Sequence, residues 1–191
     1  AIADGAATRG SPTRPAMERY SGVLYKELDW ASLPAVARRR GDAQVRIVSG
    51  LWGLVAPTDP IPQYKLKMSA RVGDLGRLAP WWKPRMAPVL TERAEGAVVW
   101  DLLPIEHRAA VDWSACAPAR RIVVRFVDEQ DRTVSHWNKL LKGSLVRWLL
   151  SASPARPCDL AGFQHPLGYR FDATASALDG PVATVVLRRH A

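Results

Sequence analysis

Apolar residues recur every three to four positions over residues 139–152, where Leu141, Leu145, Trp148 and Leu149 mark one face and Lys139, Lys142 and Arg147 fall largely off it. This spacing predicts an amphipathic helix with a basic polar face. The same period in residues 17–29 aligns Met17, Tyr20, Leu24 and Leu28. A short helix is expected over 31–40, with Arg38-Arg39-Arg40 complementing the negative end of its dipole and Gly41 as its stop. Residues 75–95 place Trp81, Trp82, Met86, Val89 and Leu90 at helical intervals. Pro80, Pro84 and Pro88 in that segment predict a broken helix, because each proline removes a backbone donor and crowds the preceding turn.

Short β-branched runs predict strands at 44–49, 97–103 and 121–127. Residues 128–131 read as a turn, and 133–136 as a short strand pairing back. Residues 167–172 and 182–189 read as a closing hairpin pair across a loop at 176–181. No internal repeat or heptad is present. The reading is an α+β fold, a single domain with a mixed β-sheet flanked by helices, occupying 16–191 after a loop or connector at 1–15.

The 191 residues include 27 Lys+Arg against 18 Asp+Glu, a formal charge of +9, and 48% of them are hydrophobic. Such a chain can bury a core, which excludes a disordered polyelectrolyte, and no apolar run of about 18 residues marks a membrane span. Cys116 and Cys158 are far apart, and His107, His136, His165 and His190 are scattered without metal-ligand spacing. No metal, cofactor or membrane partner is therefore expected. A Gly-x-Ser-x-Gly nucleophile elbow and a phosphate-loop motif are both missing. The start carries no secretory signal, so a cytoplasmic protein is expected; it also lacks Met, which suggests preceding sequence.

Two segments carry candidate chemistry. In residues 49–68, Gly50 and Gly53 let the backbone bend or approach a ligand, and Pro57, Pro60 and Pro62 stiffen the chain beyond them. Asp59 is either a carboxylate acid or base, a hydrogen-bond acceptor, or a turn residue ahead of Pro60. Tyr64 beside Lys65 and Lys67 suits base stacking next to phosphate neutralisation, and equally a buried ring with two solvated lysines. In residues 135–147, Asn138 or Ser135 can cap the helix, whose start would form an anion site with Lys139 and Lys142. A cationic face on so basic a chain also needs no ligand. Gly143 inside the helix implies that something packs or binds against its backbone.

Three blocks then resemble a family. Glu18-Arg19-Tyr20-Ser21-Gly22-Val23-Leu24-Tyr25 is the first. Ser49-Gly50-Leu51-Trp52-Gly53-Leu54, running on through Pro57, Asp59, Gln63-Tyr64-Lys65-Leu66 and Met68, is the second. Ser135-His136-Trp137-Asn138-Lys139 to Lys142-Gly143 is the third. In order and spacing, from Ser11 onward, they resemble the YaaA family of peroxide-stress proteins. The resemblance implies a cytoplasmic bacterial protein that limits iron-dependent oxidative damage, and DNA binding through a positively charged cleft on an unusual α and β fold. The chain departs from the family pattern in lacking its N-terminal strand and Leu-Pro-Pro-Ser loop. Lys65 stands where arginine is common, and residues 101–107 replace a segment that usually carries a serine and a tyrosine. No Gly-hydrophobic-Gly hairpin between helices is found.

The function expected on these grounds is a peroxide-stress protein whose Lys65, Lys67, Asn138, Lys139, Lys142 and Arg147 contact nucleic-acid phosphates, with Gly50, Gly53, Pro57 and Gly143 shaping the structure around them. The alternative is an enzyme acting on a nucleotide or nucleobase-like anion. It would use Asp59, Tyr64 and Lys139 in a pocket between the 50–64 loop and the start of the 139–152 helix. Both readings ask those two stretches to converge on one concave, positive surface.

Overall fold

The computed structural model describes residues 10–134 and 137–190. The chain begins with β1 (Thr13–Pro15), α1 (Ala16–Arg19), α2 (Val23–Leu28) and α3 (Ala35–Gln44), then β2 (Ile47–Ser49), β3 (Gly53–Val55) and β4 (Pro60–Pro62). It continues through β5 (Arg71–Val72), β6 (Gly76–Arg77), α4 (Leu78–Ala94), β7 (Val98–Asp101), α5 (Ile105–Arg108) and β8 (Arg120–Val127). α6 (Asn138–Ala152), β9 (Tyr169–Phe171) and β10 (Val182–Arg189) complete it, with 3-10 turns at Trp30–Ser32, Gly73–Leu75 and Pro157–Gly162. The class is α+β, as the hydropathy pattern predicts.

These elements gather into two compact units, each assembled from separated stretches of chain. The first takes residues up to Tyr20, then Arg40–Glu95 and Leu103–Ala117; the second takes Ser21–Arg39, Gly96–Leu102 and the chain from Pro118 onward.

The second unit is built on a four-stranded sheet in the order β7-β8-β10-β9. β8 lies parallel to both β7 and β10, while β9 runs antiparallel to β10. Ile122, Val124 and Phe126 alternate along β8, and Ala183, Val185 and Leu187 along β10, so that all six join one core with Leu141 and Leu145 of α6. The period-two stripe of the strands thus meets the 3.6-period stripe of the helix. Across β7 and β8 the buried Asp101 accepts from Arg121 Nη2 at 2.6 Å and Nε at 3.1 Å, a charge-assisted pairing that offsets the carboxylate's loss of water.

The first unit uses three two-stranded pieces, β1 with β4, β2 with β3, and β5 with β6, each antiparallel. Its core gathers Val48, Met68, Ala110 and Val111 around Leu78, Ala79 and Met86 of α4.

Several expectations are corrected. Residues 13–15, read as connector, pair with β4. Residues 17–29 form two helices, because the chain turns extended at Tyr20 and Gly22. α3 runs through Gly41 to Gln44, so the three arginines lie mid-helix and Gly41 is no stop; Val45 N–H still bonds Gly41 O at 2.8 Å. α4 is one helix of 17 residues despite Pro84 and Pro88 in its interior. Pro80, Pro84 and Pro88 are four apart and all exposed, so the carbonyls left without a donor fall on the water-facing side. The 128–131 turn and the closing pair β9–β10 match expectation. Thr133 does pair back, bridging Val127, while residues 135 and 136 lie outside the described residues.

Candidate functional site

In the first unit the 49–68 segment is fixed by its own polar groups. Ser49 and Gly53 close the β2–β3 hairpin, and the turn between them is tied by Ser49 Oγ, which accepts from the N–H groups of Leu51 (3.2 Å) and Trp52 (3.0 Å). Both glycines are filled by protein rather than left for a ligand. A Cβ on Gly50 would stand 2.7 Å from the Leu66 carbonyl oxygen, and one on Gly53 would stand 2.6 Å from the Trp82 ring. Gly53 also holds φ +72°, a left-handed conformation natural to glycine. Trp82 Nε1 donates to Gly50 O at 2.9 Å, locking indole and turn together.

Asp59 takes the turn role among those open to it. Its Oδ2 accepts from Ala56 N–H at 2.8 Å, and its carbonyl accepts from Ala16 N–H at 2.9 Å. The buried Pro57 accepts from Met17 N–H at 3.0 Å, so the segment is stitched to α1 by backbone bonds. Tyr64 is half-buried, and its hydroxyl lies 2.6 Å from both Tyr20 Oη and Ser49 Oγ. Because two N–H groups already occupy the serine oxygen's lone pairs, the Ser49 O–H donates to Tyr64, which in turn donates to Tyr20. This three-hydroxyl chain spends the Tyr64 phenol on positioning. It leaves the exposed Lys65 and Lys67 on a braced segment that follows β4, their side chains without hydrogen-bond or ion-pair partners among the described residues.

In the second unit α6 begins at Asn138 with Trp137 in the cap position and no side-chain cap. Asn138 is therefore inside the first turn rather than the cap, and its Nδ2 reaches Val134 O at 3.4 Å; Ser135, the other cap candidate, lies outside the described residues. Lys139 is exposed, but Lys142 retains only 9% of its exposure, so the polar face is less basic than its letters imply. Arg147 Nη1 donates to Leu28 O and Asp29 O, each at 2.9 Å, and so closes the C-terminal end of α2. Gly143 answers the question its position raises: a Cβ there would collide with the Leu24 carbonyl of α2. What approaches its backbone is a helix.

A second polar cluster escaped the sequence reading. Ser144 Oγ donates to Glu27 Oε1 at 2.6 Å, and His165 Nε2 lies 3.1 Å from the same Oγ. Leu167 N–H donates to His165 Nδ1 at 3.1 Å, so Nδ1 is unprotonated and Nε2 carries the proton toward Ser144. That polarity is the reverse of a serine activated by histidine. Burial holds the His165 imidazole below its ordinary basicity, with Glu27 pulling partly the other way. Glu27, Ser144 and His165 are separated by 117 and 21 residues, so no local motif announces them.

Of the tryptophans, Trp100 and Trp148 pack on the second unit's core and Trp113 on the first's. Trp52 and Trp137 remain exposed, Trp82 is committed to Gly50, and Trp81 carries the Arg85 guanidinium 3.9 Å above its ring. Among the described residues no group of three His, Cys, Asp or Glu side chains is placed to hold a metal ion, and no helix is long and apolar enough to cross a membrane.

These features define an α+β protein with a glycine turn clamped by hydroxyls and a braced, cationic segment beyond it. The chain belongs to the family of the peroxide stress protein YaaA, whose profile matches residues 2–175. It is 42% identical over 170 residues to a UPF0246 protein of Streptomyces coelicolor, covering 87% of this chain and 65% of that one. A UPF0246 protein of Ruegeria sp. is 32% identical over 85% of this chain and 68% of its own length, and one of Flavobacterium johnsoniae is 32% identical over 85% and 66%. The chain thus spans about two thirds of the length of the curated relatives it matches.

Proposed function

We propose that this peroxide-stress family member binds DNA through its exposed cations, and that occupying DNA is how it limits oxidative, iron-dependent damage. The observation that carries the reading is the exposure of Lys65, Lys67 and Lys139 without counter-ions among the described residues, on a chain of charge +9. Unpaired surface lysines attract phosphates and release counter-ions on contact, a driving force indifferent to base sequence. The enzymatic alternative draws less support, since the Asp59 carboxylate serves a turn and the Tyr64 hydroxyl is engaged on two sides.

Fluorescence anisotropy with a DNA duplex, repeated across a salt series, tests the reading. Affinity is expected to fall steeply with salt. The triple variant K65Q/K67Q/K139Q is expected to lower the slope of log K against log salt by about 0.9 for each phosphate contact removed. An affinity independent of salt would overturn the reading.

A further inference from the structure

Between the braced Lys65–Lys67 segment and α4, the first unit carries two arginines that no motif singles out. β5 and β6 pair in the register Arg71↔Arg77 and Val72↔Gly76, which sets the two arginines directly opposite each other on one face of a hairpin. Residues directly opposite across antiparallel strands have Cβ atoms about 4.5–5.5 Å apart, and like charges so placed repel. Both are exposed, and neither side chain has a hydrogen-bond or ion-pair partner among the described residues. Asp74, at the hairpin tip, makes no ion pair with either among those residues.

The frame beneath them is fixed. Val72 packs against the core of the unit, Ala70 N–H bonds Lys67 O at 3.0 Å, and Leu78 N–H returns to Ala70 O at 3.0 Å. Gly76, at φ +69°, supplies the left-handed step the tight return requires. The approach to the hairpin has no regular secondary structure and turns at 68–69, yet its exposure alternates. From Gln63 to Arg71 every odd-numbered residue is exposed and every even-numbered one is half-buried or buried, which turns Lys65, Lys67 and Arg71 outward. Residues 60–86 hold six cations, Lys65, Lys67, Arg71, Arg77, Lys83 and Arg85, against the single acid Asp74.

We infer that Arg71 and Arg77 form a clamp for one phosphodiester group of a DNA backbone, at the end of a track whose earlier steps are Lys65 and Lys67. Two planar guanidinium forks facing each other across a hairpin can each donate to the non-bridging oxygens of one phosphate, which a pair of ammonium groups does less specifically. The anion also relieves the repulsion that the bare hairpin leaves uncompensated. The inference rests on the DNA-binding reading and adds to it a defined subsite.

Anisotropy titrations of a duplex across a salt series compare the wild-type chain with R71Q/R77Q and with R38Q/R39Q, which removes the same charge from exposed positions of α3 that belong to the second unit. R71Q/R77Q is expected to weaken binding at least tenfold near 100 mM salt and to lower the salt slope by about 0.9, the value for the one phosphate contact removed. R38Q/R39Q is expected to weaken it less than threefold. Equal losses in the two double variants would overturn the clamp while leaving DNA binding standing. A wild-type chain without salt-dependent affinity would overturn the DNA-binding reading and the clamp with it. Circular dichroism of each variant confirms that the surface changes leave the fold intact.

Discussion

At the scale of single residues, Gly143 sets how closely α2 and α6 approach. A Cβ there would meet the Leu24 carbonyl and stand 2.8 Å from Glu27 Cβ, neither of which is the free end of a flexible side chain. Gly143→Ala is therefore expected to destabilise the chain by about 1–3 kcal/mol in urea denaturation, the usual cost of overpacking, even though alanine is the better helix former. An unchanged midpoint would show that the helices can separate freely. His165 makes a different prediction. Its imidazole resists protonation in the folded chain, whereas the unfolded chain takes up that proton near pH 6.5. The unfolded state then binds more protons, so stability falls as pH drops below about 6.5, by at most about 1.4 kcal/mol per pH unit, until the folded imidazole titrates as well. Denaturation midpoints measured between pH 7.5 and 5.5 are expected to decline less in His165→Gln than in the wild-type chain. An equal decline in both would place the effect elsewhere. Gly143 was conspicuous in the sequence as a glycine inside a helical pattern, but letters alone cannot say whether a ligand or a helix faces it. The hydroxyl chain of Ser49, Tyr64 and Tyr20 was less visible still, because it joins residues 15 and 44 positions apart.

At the scale of elements, α4 shows how a helix tolerates prolines. The interior prolines keep to one exposed face, so water can serve the carbonyls of Pro80 and Pro84 that lose their donors. Replacing Pro84 by Ala restores a donor to the Pro80 carbonyl and should raise stability by about 1–3 kcal/mol, read as an upward shift of the thermal midpoint. No rise would mean that the proline's restriction of the unfolded chain outweighs the missing bond. Long elements with a full period were legible: α6, β8 and β10 fall within one residue of their expected bounds. The strands β1, β4, β5 and β6 span two or three residues each, too short to display any alternation, and only their partners define them. The count of prolines in α4 predicts a break, whereas their common direction permits one helix. Their spacing of four, one helical turn, carried that direction.

At the scale of the molecule, the basic balance was readable from composition, but the disposition of individual charges was not. Of the cations nominated from the sequence, Lys65, Lys67 and Lys139 are exposed, Lys142 is buried, and Arg147 is consumed in closing α2. A helical wheel sorts residues by angle. It does not reveal that a second helix lies against Gly143, Ser144 and Arg147, which is why the engagement of Arg147 is out of its reach. The order β7-β8-β10-β9 has a further consequence for synthesis. β8 leaves the ribosome well before β10, its neighbour on one side, so its hydrogen-bonding rim stands open while residues 128–181 are being translated. During that interval the nascent chain exposes the β-branched run Ile122-Val123-Val124 to any other unfinished strand nearby, and a pause in elongation there would lengthen the exposure.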